Sequence, residues 1–262
     1  MKDVKVFRAL VWKYYRTHGR HDLPWRKTKI PYRILVSEVM LQQTQVPRVI
    51  EKYKGFLKKF PTVRALAGAS LADVLRVWSG LGYNRRAKYL HDTAKLLVQE
   101  RRNIKYAVAH LKFPGVGEYT KAAVRVFAFN EPEVLLETNI RTAFIHHFFP
   151  RTQQVDDRQI STYAEKAAKN QDPREWHWAL MDYGVHIKKL HKNPARRSAS
   201  YTRQSRFEGS LRQVRGAILR ELHTDRFTLK NLPFGADKVE NALEALERDG
   251  LIVKEKGKWQ IA

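Results

Sequence analysis

The 262-residue chain contains no cysteine. That absence removes disulfides, thiolate nucleophiles, cysteine-ligated zinc and cysteine-held iron–sulfur clusters. It fits a reducing compartment. Acidic residues are also scarce: 26 Asp and Glu stand against 50 Lys and Arg, a formal net charge of +24 at pH 7. So large an excess points to a polyanionic partner. No apolar run approaches the roughly 18–20 residues of a membrane span. The basic residues are spread along the chain rather than gathered on one amphipathic helix, which favours nucleic acid over an anionic lipid surface. The N-terminal MKDVKVFRALVWKYY mixes charge into an amphipathic pattern and has no apolar signal core. Ten histidines, two of them adjacent at His146 and His147, include no HExxH spacing, so neither a metal nor a cofactor is expected.

What is present is 43% apolar content, enough for one large domain or two modest ones. The chain is organised around Leu111-Lys112-Phe113-Pro114-Gly115-Val116-Gly117-Glu118-Tyr119-Thr120. Pro114 discourages a helix from continuing through Phe113, and Gly115 and Gly117 tolerate positive φ. Ala122, Ala123, Val126 and Phe127 then recur at helical spacing. The pattern predicts helix, tight hairpin, helix, with free N–H groups at the second helix's start, a ready anion site. PGVG alone reads equally well as an ordinary turn.

Helices are predicted over residues 4–18, 32–43, 49–60, 70–78, 85–100, 142–149, 160–169 and 176–186. Ser70 is the expected cap of its helix, with Asp73 at the third position. Within 37–46, SEVMLQQTQV, a carboxylate at Glu38 sits among apolar residues and is followed by three amides and a hydroxyl. This reads either as a solvated helix end or as a buried acid beside an amide wedge. From 188 to 215 the chain is basic, polar and weakly periodic, as a linker or an arm on a nucleic-acid backbone would be. Helices over 211–222 and 236–249, a short segment between them, and a β-hairpin over 251–261 have the layout of a winged helix.

Seven pieces in order carry a resemblance: LPWR at 23–26, PYRILVSEVMLQQTQV at 31–46, FPT at 60–62, WSGLGYNRRA at 78–87, FPGVGEYT at 113–120, ETNIR at 137–141 and ALMDYG at 179–184. Together they resemble the helix–hairpin–helix base-excision DNA glycosylases, over roughly residues 7–195. SEVMLQQTQV followed by GLGY is most similar to the MutY-type adenine branch. The resemblance implies a mainly α fold of two helical subdomains with the active site between them. It also implies base flipping, because a stacked base hides its glycosidic bond. Gln42 and Tyr83 match the intercalating positions. Gln43, Arg85, Arg86, Gly115, Val116, Gly117 and Thr120 fall in the matching DNA-contact segments.

Glu38 matches the family's general acid, which protonates the leaving adenine at N7. Burial among Val39, Met40 and Leu41 is expected to favour its protonated form. A second carboxylate stabilises the sugar's oxocarbenium character. The family places an Asp there, with an Asn two positions on; this chain has Glu137 and Asn139. The extra methylene moves the carboxylate by roughly 1 Å, a shift that can cost about a hundredfold in rate. Three readings stay open: the backbone retreats, the longer acid suits another base or water path, or the site is weakened to a binder. Tyr119 stands where the endonuclease III-like branch has a Schiff-base lysine, so strand cleavage is not expected. Lys121, two residues on, is expected to point elsewhere. The four cysteines usual after ALMDYG are absent, and basic residues are expected to position that loop. A Nudix-like extension is not recognisable, which places specificity opposite 8-oxoguanine in doubt.

The reading is therefore a monofunctional glycosylase that removes a mispaired adenine or related purine and leaves an abasic site. The alternatives are a glycosylase for uracil, thymine or another base, and a non-catalytic binder of distorted DNA. Expected domains are 1–195 (glycosylase), 196–210 (basic linker) and 211–262 (α+β, winged-helix-like). The expected partner is double-stranded DNA with a mispaired or damaged base, bound by a monomer in the cytoplasm at the nucleoid, with no membrane. Asp182 is expected to be a structural acid. Asp156 and Asp157 are expected in a loop or cap, as fallback catalysts should Glu137 be inert.

Overall fold

The computed structural model of the chain describes residues 3–101, 103–224 and 232–262. The described residues form helices α1 (Val4–His18), α2 (Pro31–Leu41), α3 (Val46–Lys59), α4 (Val63–Ala67), α5 (Leu71–Trp78), α6 (Arg85–Gln99), α7 (Ile104–His110), α8 (Glu118–Phe129), α9 (Thr138–Phe148), α10 (Asp157–Ala168), α11 (Pro173–Leu190), α12 (Leu211–Glu221) and α13 (Ala236–Arg248). One antiparallel hairpin follows, β1 (Ile252–Glu255) with β2 (Lys258–Ile261), pairing Ile252 with Ile261. Its turn places Lys256 and Gly257 at positive φ, as a tight two-residue hairpin requires. The expected short segment between α12 and α13 includes residues 225–231, which lie outside the described residues.

The chain divides into two compact units, each made of two stretches. The first comprises residues 1–34 and 118–203; the second comprises 35–117 and 204–262. The tail from 204 onward therefore groups with 35–117, an interleaving that a linear reading of three successive domains does not contain.

The first unit is built on aromatic packing. Phe7 on α1 meets Phe144 and Phe148 of α9 at 4.9 and 5.1 Å and lies edge-on to Trp176 of α11. All four rings are almost wholly buried; ring pairs of this kind contribute about 0.5–1.5 kcal/mol beyond their buried area. Gly184 on α11 lets α9 come close, for a Cβ there would lie 1.9 Å from the Asn139 carbonyl oxygen. Asp182 is 2% exposed and receives Arg20 and Arg26 together, which holds its pKa below the usual value against the cost of burial. It is a structural acid, as its sequence context suggested.

After α11 the chain makes a short 3₁₀ turn, Pro194–Arg197. Arg197 donates to the carbonyls of Phe149, at 2.5 Å, and Thr152, at 2.8 Å, beyond the C-terminal end of α9. A cation there also complements the helix dipole. Val155 exchanges backbone hydrogen bonds with Arg197 and Ala199. Arg197 is a fixed structural anchor for this loop.

In the second unit Trp78 lies edge-on to Phe56, and both are fully buried. Ser70 caps α5 through the Asp73 N–H and also donates to the Asp73 carboxylate. α12 packs on α13, and α13 on β1. Val214, Ile218, Val239, Leu243 and Leu246 supply the apolar contact between these elements.

Candidate active site and nucleic-acid interface

α2 starts at Pro31, whose missing N–H costs nothing at a helix start. Every residue from Ile34 to Met40 is buried, Glu38 included at 9% exposure. The amide-rich end is thus a buried acid followed by a turn, not a solvated helix end. After Leu41 the chain turns sharply, with Gln43 at φ 54°. A second sharp turn follows α5, with Gly80, Gly82 and Tyr83 all at positive φ. Tyr83, at φ 49°, holds a conformation that a non-glycine residue adopts only under constraint.

Arg86 joins these two turns. Its guanidinium donates to the carbonyls of Val39 (2.8 Å), Met40 (3.1 Å) and Gln42 from α2 and its turn, and to the Thr44 hydroxyl (3.0 Å). It also donates to the Gly82 carbonyl at 3.1 Å and lies 5.4 Å from both the Trp78 and Tyr83 ring centres. Burial lowers its pKa to about 10, which leaves it charged at neutral pH. Expected among the DNA contacts, Arg86 has its terminal nitrogens directed mainly at main-chain carbonyls and only 9% of its surface exposed. Arg85 does reach the surface, where its partner is Asp249 at 3.1 Å.

Gln42, Gln43, Tyr83, Arg85, Arg86 and Gly115 border one open cavity of about 680 Å³ in the second unit. Arg212, Arg215 and Arg248 complete it from the tail. The hairpin has the expected form of α7, turn and α8. Phe113 and Val116 form an isolated bridge across Pro114-Gly115. Gly115 has φ 66°, and a Cβ there would sit 2.2 Å from the Tyr89 ring. Of the two glycines that tolerate positive φ, only Gly115 adopts it. Gly115, Gly117 and Tyr119 are exposed, whereas Val116 and Thr120 are buried. Lys121 is nearly buried, and its amine donates to Glu118 at 2.9 Å.

In the first unit Glu137 is the N-cap of α9. Its carboxylate accepts from the Asn139 and Ile140 N–H groups, both at 2.8 Å, and from the Asn139 side-chain amide at 3.1 Å. The sequence reading begins this helix at Thr142; it begins at Thr138 because Glu137 curls back to cap it. Glutamate is not among the preferred caps, so the pattern gave no sign of it. Burial raises the Glu137 pKa, against the two backbone hydrogen bonds and the nearby Arg141 and Arg20. Just upstream, His177 of α11 accepts from the Leu135 N–H at 3.1 Å while its other nitrogen faces the Pro173 carbonyl at 2.6 Å. Those two bonds define a neutral tautomer, and burial lowers its pKa.

The fallback acids have other tasks. Asp156 makes a capping box with Gln159, and Asp157 binds the Arg141 guanidinium through both oxygens. No cluster of His, Asp and Glu suited to a metal occurs among the described residues, and no helix among them is long and apolar enough to cross a membrane. Residues that the sequence did not single out are Gly184, His177, Arg197, Gln204 and Arg212. Only Gly184 had a signal, as the last residue of ALMDYG.

Comparison with known proteins fits this arrangement. Residues 36–169, about half of the chain, match the HhH-GPD superfamily base excision DNA repair proteins. An adenine DNA glycosylase of Mycobacterium tuberculosis (strain CDC 1551 / Oshkosh) is 31% identical, across 94% of this chain and 89% of that one. One from Buchnera aphidicola subsp. Baizongia pistaciae is 36% identical across 70% of this chain, which spans only 53% of that relative. Among solved structures, a thermostable thymine-DNA glycosylase is 26% identical, with a TM-score of 0.64 over 73% of this chain and 90% of that one.

Proposed function

Because the chain belongs to the HhH-GPD superfamily of base excision DNA repair proteins, within its adenine DNA glycosylase branch, we propose that it removes mispaired adenine from duplex DNA by hydrolysis. The observation that carries this reading is the relation to an adenine DNA glycosylase along 94% of the chain. In the proposed reaction the target nucleotide swings out of the stack, and Gln42 and Tyr83 fill the gap. Glu38 donates its proton to N7 of the base. The C1′–N9 bond breaks with its electron pair leaving on the adenine, and positive charge develops on the sugar. Glu137, held by Asn139, faces that charge as an anion. A water adds to C1′ and its proton passes to the Glu38 carboxylate, which restores the acid and leaves an abasic site.

Tyr119 has no amine to form a Schiff base, so the strand stays intact. The N-terminal end of α8 and the exposed Gly115 and Gly117 bind a phosphate of the duplex. Arg85 adds a further backbone contact, while Arg86 supports the wedge from behind. The enzyme acts as a monomer at the nucleoid and needs no cofactor.

A second reading, excision of thymine or uracil from mismatches, is favoured by the likeness to a thymine-DNA glycosylase. A duplex panel separates the two: adenine opposite guanine, adenine opposite 8-oxoguanine, uracil, thymine opposite guanine, and hypoxanthine. Heat and alkali reveal abasic sites. The adenine duplexes are expected to break; breakage confined to the pyrimidine duplexes moves the assignment to the second reading. Glu38→Gln should abolish product and keep binding, and retained turnover removes Glu38 as the acid. Abundant borohydride-trapped protein–DNA adduct contradicts the monofunctional assignment.

A further inference from the structure

Tyr83 is held from the tail. Its hydroxyl accepts from Arg212 Nη1 and from Gln204 Nε2, the latter at 2.5 Å. The Arg212 guanidinium lies 4.9 Å from the centre of the Tyr83 ring and 5.6 Å from that of Phe207. The other Arg212 nitrogen donates to the Ser205 carbonyl at 3.2 Å, which bends residues 204–212 around its side chain. Gln204, Phe207, Arg212 and Tyr83, with Gln43, line a cavity of about 350 Å³. These residues all belong to the second unit.

The chemistry of such a contact is specific. A phenol oxygen has two lone pairs, and here two side-chain donors from one segment take them. A guanidinium over a ring face adds attraction that an amide or a methylene lacks. Arg86 approaches the same ring and is itself fixed by carbonyls of both turns. The ring therefore has one arginine anchored in residues 35–117 and another delivered by the tail. Tyr83 also occupies left-handed backbone space, which is expensive for a non-glycine residue unless its surroundings hold it.

We propose that Arg212, with Gln204, is a positioning residue for Tyr83, so that the C-terminal segment forms part of the wedge device itself. The tie between tail and tyrosine stands on its own geometry; its use in base flipping rests on the function proposed above. An aromatic filler already held in one rotamer loses little freedom on insertion. A tyrosine released from the tail must be ordered each time, and the cost appears in the flipping step. Duplex affinity, which comes mainly from phosphate contacts, is affected much less.

The test uses the full chain and three readouts. In the free protein, 3-fluorotyrosine placed at Tyr83 reports the tie by ¹⁹F resonance. Arg212→Lys keeps the charge and loses the planar fork, and it should shift that resonance as Arg212→Ala does. Next, 2-aminopurine beside a tetrahydrofuran abasic analogue reports wedge insertion without any glycosidic chemistry. Arg212→Lys should cut the insertion rate about tenfold, with duplex affinity and its salt dependence within twofold of wild type. In a Tyr83→Phe background, which has no hydroxyl to hold, the Arg212→Lys effect should largely vanish.

An unchanged ¹⁹F resonance in both Arg212 variants overturns the tie. A shifted resonance with unchanged insertion overturns the positioning role. Normal insertion by Arg212→Lys with weakened duplex binding by Arg212→Ala makes Arg212 a phosphate contact instead. Single-turnover excision on the panel is measured in parallel. Loss of the adenine reading would appear there, in the wild-type chain, without altering the first two readouts.

Discussion

The two carboxylates of the proposed site are held by opposite means. Glu38 lies within a continuous run of buried residues in α2, and the end of that helix is tied down by Arg86 through main-chain carbonyls. Glu137 lies at a helix start and is bound by the N–H groups of the helix it caps. Glu38 is placed by the burial of its helix, whereas Glu137 sits in a ring of donors. A ring of donors favours a standing anion. Burial nevertheless outweighs the donors at Glu137 and raises its pKa. The anionic role is therefore the strained one.

The largest break in this comparison should come from Glu137→Gln. Loss of the anion is expected to lower single-turnover excision by about 10²–10³-fold, the range for removing one electrostatic stabiliser. The stability sign runs the other way. A carboxyl whose folded pKa lies above its unfolded value near 4.3 loses stability as pH rises through the folded pKa. The Gln variant should thus melt higher than wild type at pH 8, with the gap closing toward pH 4.5. A wild-type rate, or a lower melting temperature at pH 8 than at pH 4.5 relative to wild type, contradicts the assignment. Glu137→Asp, which retracts the carboxylate from the cap, should change the rate by about tenfold or more. An unchanged rate on every base in the panel removes any role for side-chain length.

Arg86 tests the other side. Arg86→Met keeps most of the volume and leaves the carbonyls of Val39, Met40 and Gln42 without their donor. Leaving a buried acceptor unpaired costs about 1–3 kcal/mol, read as a lower urea midpoint. Arg86→Lys should recover only part, since a point charge cannot serve two turns at once. Equal stability of the Met variant would show that the turns hold themselves.

A smaller effect is expected at Gly184→Ala. Its Cβ would overlap the Asn139 carbonyl, so α9 must shift relative to α11. We expect a cost of about 1–3 kcal/mol, with a fall in excision through displacement of Asn139 and Glu137. A crystal structure of the variant with α9 unmoved would sever that link.

The smallest effect concerns acid stability. Burial and the neighbouring His146 and His191 lower the His147 pKa to about 4, and its Nε2 lies 2.8 Å from the Tyr183 hydroxyl. An unfolded histidine titrates near 6.5, so the unfolded chain binds more protons between those values. Stability from this residue is intact above about pH 6.5 and is lost as pH falls toward 4. His147→Gln should flatten that limb by on the order of 1 kcal/mol; an identical melting profile from pH 7 to 4.5 would exclude it.

Much of this was legible in the residues themselves. α1 and α5 with its Ser70 cap, the α7–α8 hairpin and the terminal β-hairpin follow from apolar period and turn chemistry. Both depend on neighbours a few positions away, which a sequence displays directly. Net charge and the absent cysteines likewise bounded the partners and the chemistry. Three matters were decided only by tertiary structure. Glu137 became a cap because its helix could begin four residues earlier once Gly184 let α9 settle against α11. Arg86 turned inward because two distant turns present carbonyls to one guanidinium. The tail joined residues 35–117 because Arg212 and Gln204 reach Tyr83 across more than 120 positions of chain. Long side chains with several donors can satisfy partners from any part of a sequence. Only the folded chain determines which of those partners lie within reach.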